Sequence, residues 1–329
     1  MPALCSRKGE VKYMLRTIQY SFPSKADGLE ISCLAVVPEL ERNEKYRGII
    51  QIVHGMSEYK ERYIPFMEYM AERKYISVIH DHRGHGKSVR SKEDLGYMYG
   101  GGADAMLQDI HTVNCLIKDH FPGIPLILFG HSMGSLAVRA YAAHHDSCMD
   151  MLIVCGSPSY NVFRPVGVAL AKAGKTVFGP KHSAGLIEMM SFGSYAMHFK
   201  KEKNRFSWIC SDPQVVQDYS DSEYCGFTFT DDAYLALFDL MKSRGYDIRK
   251  KHMDCGMTIF DQETQDTHAG GSGCGCAAST LASYILPKIE NGEWKKILFV
   301  PTGALMSTVS FNEGASVPGI AHAIMIEHC

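Results

Sequence analysis

Continuous apolar runs alternate with amphipathic stretches through the first half of the chain. LEISCLAVVP (29–38) reads as a strand, and RGIIQIVHG (47–55) as a second whose apolar run is almost unbroken. Runs of that kind suit strands buried on both faces. RYIPFMEYMAER (62–73) instead places its apolar residues at helical spacing, and YISVIHD (75–81) returns to the buried-strand pattern. Residues 104–121 predict an amphipathic helix with Met106, Ile110, Val113 and Ile117 on one side. The strand PLILFG follows, then a helix over 132–144 and a further strand in DMLIVCG (150–156). Strands alternating with helices imply a parallel sheet covered on both faces, with right-handed crossovers.

Between 157 and 243 the strand signal disappears. GLIEMMSFGSYAMHF and DDAYLALFDLMK are helical and rich in Met, Phe and Tyr, which suits a helical insertion over the end of the sheet. From 244 the character changes again: RGYDIRKKHMDCG is polar and charged, HAGGSGCGCAAS is a glycine-rich turn running into a helix, and KKILFVPTGALMSTV and GIAHAIMIE each contain a strand. The expected division is an N-terminal extension (1–13), an α/β core (14–156), a helical cap (157–243) and a separate C-terminal segment (244–329).

Composition narrows the classes. With 329 residues and 46% apolar side chains the chain can fill a sizeable core, which argues against disorder. Lys plus Arg number 34 and Asp plus Glu 36, a balance without a footprint for nucleic acid. No stretch approaches the ~20 apolar residues that span a bilayer, and the N-terminus lacks the apolar core of a secretory signal. Eleven cysteines, an odd number, are scattered through strand-like and helix-like runs. They read as buried thiols in a reducing cytoplasm rather than a disulfide framework. Cys274 and Cys276 form C-x-C, without redox C-x-x-C spacing and without a second cysteine pair at metal-ligand spacing. No metal and no cofactor are expected.

The chemistry centres on FGHSMGS (129–135). G-x-S-x-G between the strand PLILFG and the helix SMGSLAVRAYAAHH places Ser132 on a sharp turn with its hydroxyl projecting, and Gly130 and Gly134 give that turn room around His131 and Ser132. The bland alternative is a serine that caps its own helix. A nucleophilic serine also needs N–H donors for the oxyanion. His54 and Gly55 of HGMSE follow the strand RGIIQIV, so the backbone N–H groups of Met56 and of Met133 are the natural donors; a plain strand-end turn is the alternative there.

HGMSEYKERY, HDHRGHGKS and FGHSMGS, in this order and spacing, resemble the monoacylglycerol lipase and lysophospholipase branch of the α/β-hydrolase fold, also classed with the serine aminopeptidases. The resemblance runs over 14–242. It implies an α/β-hydrolase-type, mostly parallel sheet with a helical cap, a small lipid ester as substrate, transient membrane-surface contact through the cap, and Ser132 as nucleophile. Asp81, Arg83, Gly84, His85, Gly86 and Ser88 form the loop after the third strand, where their polar groups lock the backbone. The resemblance also implies an acid and a histidine after the serine, in the order Ser, Asp, His. It predicts an apolar strand soon after Lys242 ending in an aspartate, and neither that nor a glycine-flanked histidine is found. GMTIFD ends in Asp261, and His328 follows AIMIE; this pair would keep the order. Against it, His328 is the penultimate residue with no closing helix, and LFVPTG would be an unexplained extra strand. His268 lies too few residues on, and with His322 it reads as a packing or turn residue.

The tail, YDIRKKHMDCGMTIFDQETQDTHAGGSGCGCAASTLASYILPKI with LFVPTGALMSTVSFNEGASVPGIAHAIMIE, resembles the C-terminal end of the stage V sporulation protein AD family, a thiolase-like fold, over 244–327. That family's ligand is dipicolinic acid, but too little of the fold is present for binding to be expected. The chain therefore reads as a junction, either a gene fusion or an artefact of sequence assembly or gene prediction: a hydrolase truncated near Ser243, before its acid strand, joined to a partial thiolase-like α/β segment. The expected function is a serine ester hydrolase acting on monoacylglycerols or lysophospholipids, impaired because its acid and base are missing. The alternatives are an inactive hydrolase-like binding protein and a sporulation-associated thiolase-like module.

Overall fold

The computed structural model describes residues 13–157, 164–199, 204–210, 212–242, 284–294, 296–299 and 324–327. The chain divides into two compact units, Met1–Asp247 and Ile248–Cys329.

The first unit is built on six strands, β1 (Leu15–Pro23), β2 (Glu30–Pro38), β3 (Gly48–Val53), β4 (Tyr75–His80), β5 (Leu126–His131) and β6 (Met151–Cys155). They lie in the order β1-β2-β4-β3-β5-β6. β1 and β2 pair antiparallel, as do β2 and β4, while β4, β3, β5 and β6 run parallel. Helices α1 (Ile64–Ala71), α2 (Gly102–His120) and α3 (Met133–His145) connect the parallel strands. The alternation expected over 29–156 is present. β1 was not foreseen, because its side chains are mostly exposed and an edge strand of that kind carries no buried period; nine register pairs with β2, from Leu15 against Pro38 to Pro23 against Glu30, hold it.

The unbroken apolar runs serve two faces. Leu34, Val36, Ile50, Ile52 and Ile79 pack with Met67 and Ala71 of α1. Ile31, Cys33, Ile49, Val53, Ile76 and Leu128 point the other way, into a larger cluster with Met106, Ile110 and Val113 of α2 and with α3. Gln51, buried on that second face, is satisfied: its Nε2 donates to the Ile110 carbonyl (2.9 Å) and its Oε1 accepts from Asn114 Nδ2 (2.9 Å). Four helices follow β6: α4 (Arg164–Phe178), α5 (Gly185–His198), α6 (Pro213–Asp221) and α7 (Asp231–Lys242). Tyr234, Phe238 and Leu240 of α7 join the larger core cluster. In the second unit, α8 (Leu286–Glu290) precedes an antiparallel pair, β7 (Lys296–Phe299) and β8 (Ile324–Glu327), where the sequence places strands in KKILFV and AIMIE. No described helix is long and apolar enough to cross a membrane. The six described cysteines are all free; Cys33 and Cys225 are buried as expected, whereas Cys115 and Cys155 are exposed.

The loop after β4 is locked by buried charge. Asp81 accepts from the Lys60 ammonium (2.6 Å) and from the Lys60 and Lys87 amides. Arg83 donates to Asp109, Asp27 and Ser24. Gly86 is required here, since at φ 47° a Cβ would lie 2.3 Å from the Asp81 carboxyl carbon. Four histidines are buried around this loop: His54, His80, His82 and His85. Burial holds His54 and His82 well below the usual imidazole value, His80 at about 3 and His85 at about 4, with neighbouring charge adding to the effect at the first three. All four are neutral in the fold, and neither ring nitrogen of His80 has a partner among the described residues.

The unfolded chain takes up protons near pH 6.5 that these rings refuse, so stability rises with pH up to that value and is lost below it. Each ring contributes at most about 1.4 kcal/mol per pH unit in this window, until the fold itself is protonated. Urea unfolding at pH 7.5 and 5.5 is expected to show a clear loss at the lower pH. His80→Leu is expected to be neutral or stabilising at pH 7.5, because no hydrogen bond is lost, and to shrink the slope by about one ring's share. An unchanged slope in His80→Leu would contradict this account.

Candidate active site

β5 ends at His131, and the chain turns into α3 at Ser132 with φ 52° and ψ −119°. A non-glycine residue in that region stores on the order of 1–3 kcal/mol and persists only where its surroundings over-determine it. Here the Ser132 amide donates to the Cys155 carbonyl (2.9 Å), and the Ser132 carbonyl accepts from the Ser135 amide (2.9 Å). A Cβ on Gly130 would lie 2.5 Å from the Gly134 carbonyl oxygen, and one on Gly134 would lie 2.0 Å from that of Val53. Both glycines are demanded by the close approach of α3 to β3 and β5. The Ser132 side chain makes no capping hydrogen bond to α3, so the bland reading of G-x-S-x-G lapses.

The turn after β3 packs against this elbow. A Cβ on Gly55 would fall 3.2 Å from Ser132 Cβ. The Gly55 amide donates to Glu58 Oε1 (2.6 Å), which also accepts from the Tyr63 hydroxyl (3.0 Å), and Arg62 pairs with the same carboxylate. Ser57, at φ 52°, is fixed on every side. Its amide donates to His85 Nε2 (3.3 Å), its hydroxyl donates to the Phe227 carbonyl (2.7 Å), and its carbonyl accepts from the Tyr219 hydroxyl (2.9 Å) and the Gly226 amide (3.1 Å). His54 Nε2 accepts from the His82 amide (3.0 Å), so its proton sits on Nδ1 and is donated to the Gly55 carbonyl (2.8 Å). With those groups engaged, the amides of Met56 and Met133 have no hydrogen-bond partner among the described residues. Met133 follows Ser132 directly at the positive end of α3, and Met56 lines one cavity with Ser132.

That cavity, of about 360 Å³, lies over Ser132 and is walled by Met189 and Phe192 of α5 and by Phe206, Trp208 and Phe227. Phe192 stacks on Trp208 with ring centres 5.6 Å apart. Two charged groups enter this mostly apolar space. Arg205 is tied to the Gly226 carbonyl (2.9 Å), while Glu188 Oε2 is buried with no hydrogen bond among the described residues.

No histidine or carboxylate hydrogen-bonds the Ser132 hydroxyl among the described residues. His54 and His85 have both ring nitrogens engaged, the latter through the Arg83 carbonyl (3.0 Å) and the Ser57 amide. The His131 ring lies beside Gly55 and Gly156. Asp261 and His328 lie outside the described residues, as do His268, His322, Cys274 and Cys276. Sequence reasoning missed Glu58, although it stands inside HGMSE three residues after the glycine it pins, and it missed Glu188, which no motif marks.

The family model of the serine aminopeptidases, S33, matches residues 44–250, and that of stage V sporulation protein AD matches residues 234–327. A monoacylglycerol lipase from Mycolicibacterium smegmatis is 30% identical over 129 residues, 38% of this chain and 44% of that protein. The stage V sporulation protein AD of Bacillus subtilis is 37% identical over 89 residues, 27% of this chain and 26% of that protein. The chain thus spans less than half the length of either relative. Among solved structures, a thermostable carboxyl esterase from Bacillus coagulans, in complex with glycerol, is similar with TM-score 0.62 and 26% identity, covering 69% of this chain and 72% of that one. The fold is that of monoglyceride lipase-like and esterase-like α/β-hydrolases, with a C-terminal region of the sporulation-protein type. With the match covering well over half of its length, the chain belongs to the serine aminopeptidase S33 family of α/β-hydrolases.

Proposed function

We propose that the chain is a serine hydrolase of carboxylic esters of the monoacylglycerol or lysophospholipid type, with Ser132 as nucleophile and the Met56 and Met133 amides as oxyanion donors, and that its turnover is impaired for want of a base. The observation that carries the reading is the strained Ser132 at the floor of an apolar cavity, beside two amides with no partner among the described residues. An acyl chain would lie against the Met and Phe walls. Glu188 Oε2, buried and free to accept, would take a hydroxyl of the glycerol headgroup. For attack on the ester carbonyl the Ser132 proton must leave, and no side chain among the described residues is placed to receive it.

The impairment belongs to a wider reading: a fusion of two partial folds near Ser243, with 14–156 as hydrolase core, 157–243 as cap and 244–329 as thiolase-like segment. The overlap of the two family matches over 234–250 and the division of the chain at Asp247 support it. A cytosolic location is part of the proposal, supported by six free thiols among the described residues.

Two outcomes test it. With binding and oxyanion donors present but no base, serine hydrolases retain a residual ~10³ to 10⁴-fold over water. The chain is expected to hydrolyse a short p-nitrophenyl ester or a monoacylglycerol at least about 10³-fold more slowly than an intact relative, with background fluorophosphonate labelling and little further loss in Ser132→Ala. Robust turnover abolished by Ser132→Ala would mean that a base is recruited, and Asp261→Asn and His328→Ala would then show whether it is that pair. The second outcome concerns the surface. Phe178 at the end of α4 is 68% exposed, and Leu186 and Met190 of α5 are 55% and 54% exposed, which supports transient membrane contact. Phe178→Glu with Leu186→Glu is expected to lower sedimentation with phosphatidylcholine vesicles several-fold while leaving thermal stability unchanged; equal sedimentation would remove the cap from the membrane reading.

A further inference from the structure

On the face of the first unit formed by α2 and the end of α3, three side chains with nitrogen or sulfur donors converge, and a fourth, Cys115, lies beside one of them. One ligand atom from each of His111, His145 and Cys148 lies within 4.8 Å of those of the other two. His111 and Cys115 stand one turn apart on α2, with Cys115 Sγ 3.5 Å from His111 Nε2. His145 is the last residue of α3, and Cys148 closes the 3-10 turn Asp146–Cys148 that leads to β6.

We propose that His111, His145 and Cys148 ligate a thiophilic divalent cation of the zinc class, with Cys115 as the fourth ligand. Tetrahedral zinc with bonds of 2.0–2.3 Å sets its donor atoms roughly 3.3–3.8 Å apart. The observed spread therefore closes by about 1 Å of side-chain rotation around such an ion. The donors are free to make it: the three core ligands are half-buried and Cys115 is exposed. Two imidazoles and two thiols exclude the hard cations, which take oxygen ligands, and suit zinc.

The surroundings orient the ligands. The Tyr141 hydroxyl lies 2.9 Å from His111 Nδ1, which leaves Nε2, the atom beside Cys115, for the metal. A hydrogen bond to the other ring nitrogen is how zinc-bound histidines are generally held. The His145 ring stacks on both His111 (4.5 Å) and Tyr141 (4.7 Å), and the Lys118 ammonium donates to the Cys148 carbonyl (3.2 Å), fixing the turn. Ligation as thiolates releases the protons of Cys115 and Cys148 to solvent. The ion would tie α2 to the connection between α3 and β6, the strand whose carbonyl at Cys155 holds the Ser132 amide. Mixed His-x₃-Cys and His-x₂-Cys spacings carry this site in the sequence.

The test uses the reduced full chain, stripped with a chelator and titrated with Co²⁺ as a spectroscopic stand-in. Expected are the intense d–d bands of a tetrahedral ion with a thiolate charge-transfer band, at one ion per chain, both displaced by equimolar Zn²⁺. Cys148→Ser and His145→Ala are each expected to weaken Zn²⁺ by at least about 10²-fold, and Tyr141→Phe by roughly 10- to 100-fold, as loss of a ligand's orienting partner does. The double substitution Cys274→Ser with Cys276→Ser should leave the spectrum unchanged, and circular dichroism identifies any variant that fails to fold, Cys148→Ser being the smallest change. Absence of a tetrahedral spectrum in the unsubstituted chain overturns the site. So does a spectrum that survives in Cys148→Ser and vanishes in the double variant, which would place the metal on the C-x-C turn.

Discussion

The close approach of α3 to the end of β3 is the constraint on which the site depends. Because the backbone at Gly134 passes where a Cβ would sit 2.0 Å from the Val53 carbonyl oxygen, the turn between β5 and α3 has no room to relax. Ser132 takes up the strain in its own dihedrals. The same approach brings the turn at Gly55 against the elbow, so one packing contact sets both the serine and the loop that carries Met56. Ser57, in the left-handed region and bonded through its amide, hydroxyl and carbonyl, extends the constraint to His85 and to residues 226–227, which lead into α7. Strain of this kind is held by many weak bonds at once.

Among the described residues, the groups that hold the elbow lie between β1 and α7. Cys155 accepts from Ser132, Glu58 pins Gly55, and Asp81 and Arg83 fix the loop beside them. None of these supports draws on the chain beyond Lys242. Nucleophile geometry and oxyanion donors are in this sense separable from the acid and base of a triad: a chain can keep the first, with its strain and its cavity, while the second is supplied or lost elsewhere. Such a protein would bind an ester in place and still leave the serine proton without an acceptor.

Much of this arrangement was legible in the sequence. The strand and helix alternation over 29–156 could be read because β2, β3 and β4 are buried on both faces and β5 and β6 still carry short apolar runs, whereas β1, exposed along most of its length, gave no such signal and is held mainly by pairing with β2. Ser132 and its glycines were legible because the elbow has only one local solution, G-x-S-x-G between a strand and a helix. Glu188 was not, since its position over the cavity depends on how α5 folds back, a tertiary fact with no local pattern. The cluster of His111, Cys115, His145 and Cys148 was hidden for the same reason: its two halves lie on different helices, and only the packing of α2 on α3 brings them together.

The far edge of the sheet carries the remaining structural tension. Among the described residues β6 pairs only with β5, so the other side of this five-residue strand has no strand partner among them. Exposed edges invite pairing with other chains, and shortness is one way such an edge is blunted. The hydrolase resemblance calls for a further strand after the helical segment, ending in the acid, and that is where the sequence changes character. β7 and β8 form a two-stranded antiparallel ribbon of four residues each, too short to be stable without other packing. On the proposed reading of two folds each cut within its sheet, one truncation would account for the β6 edge, for the short ribbon and for a Ser132 without its base.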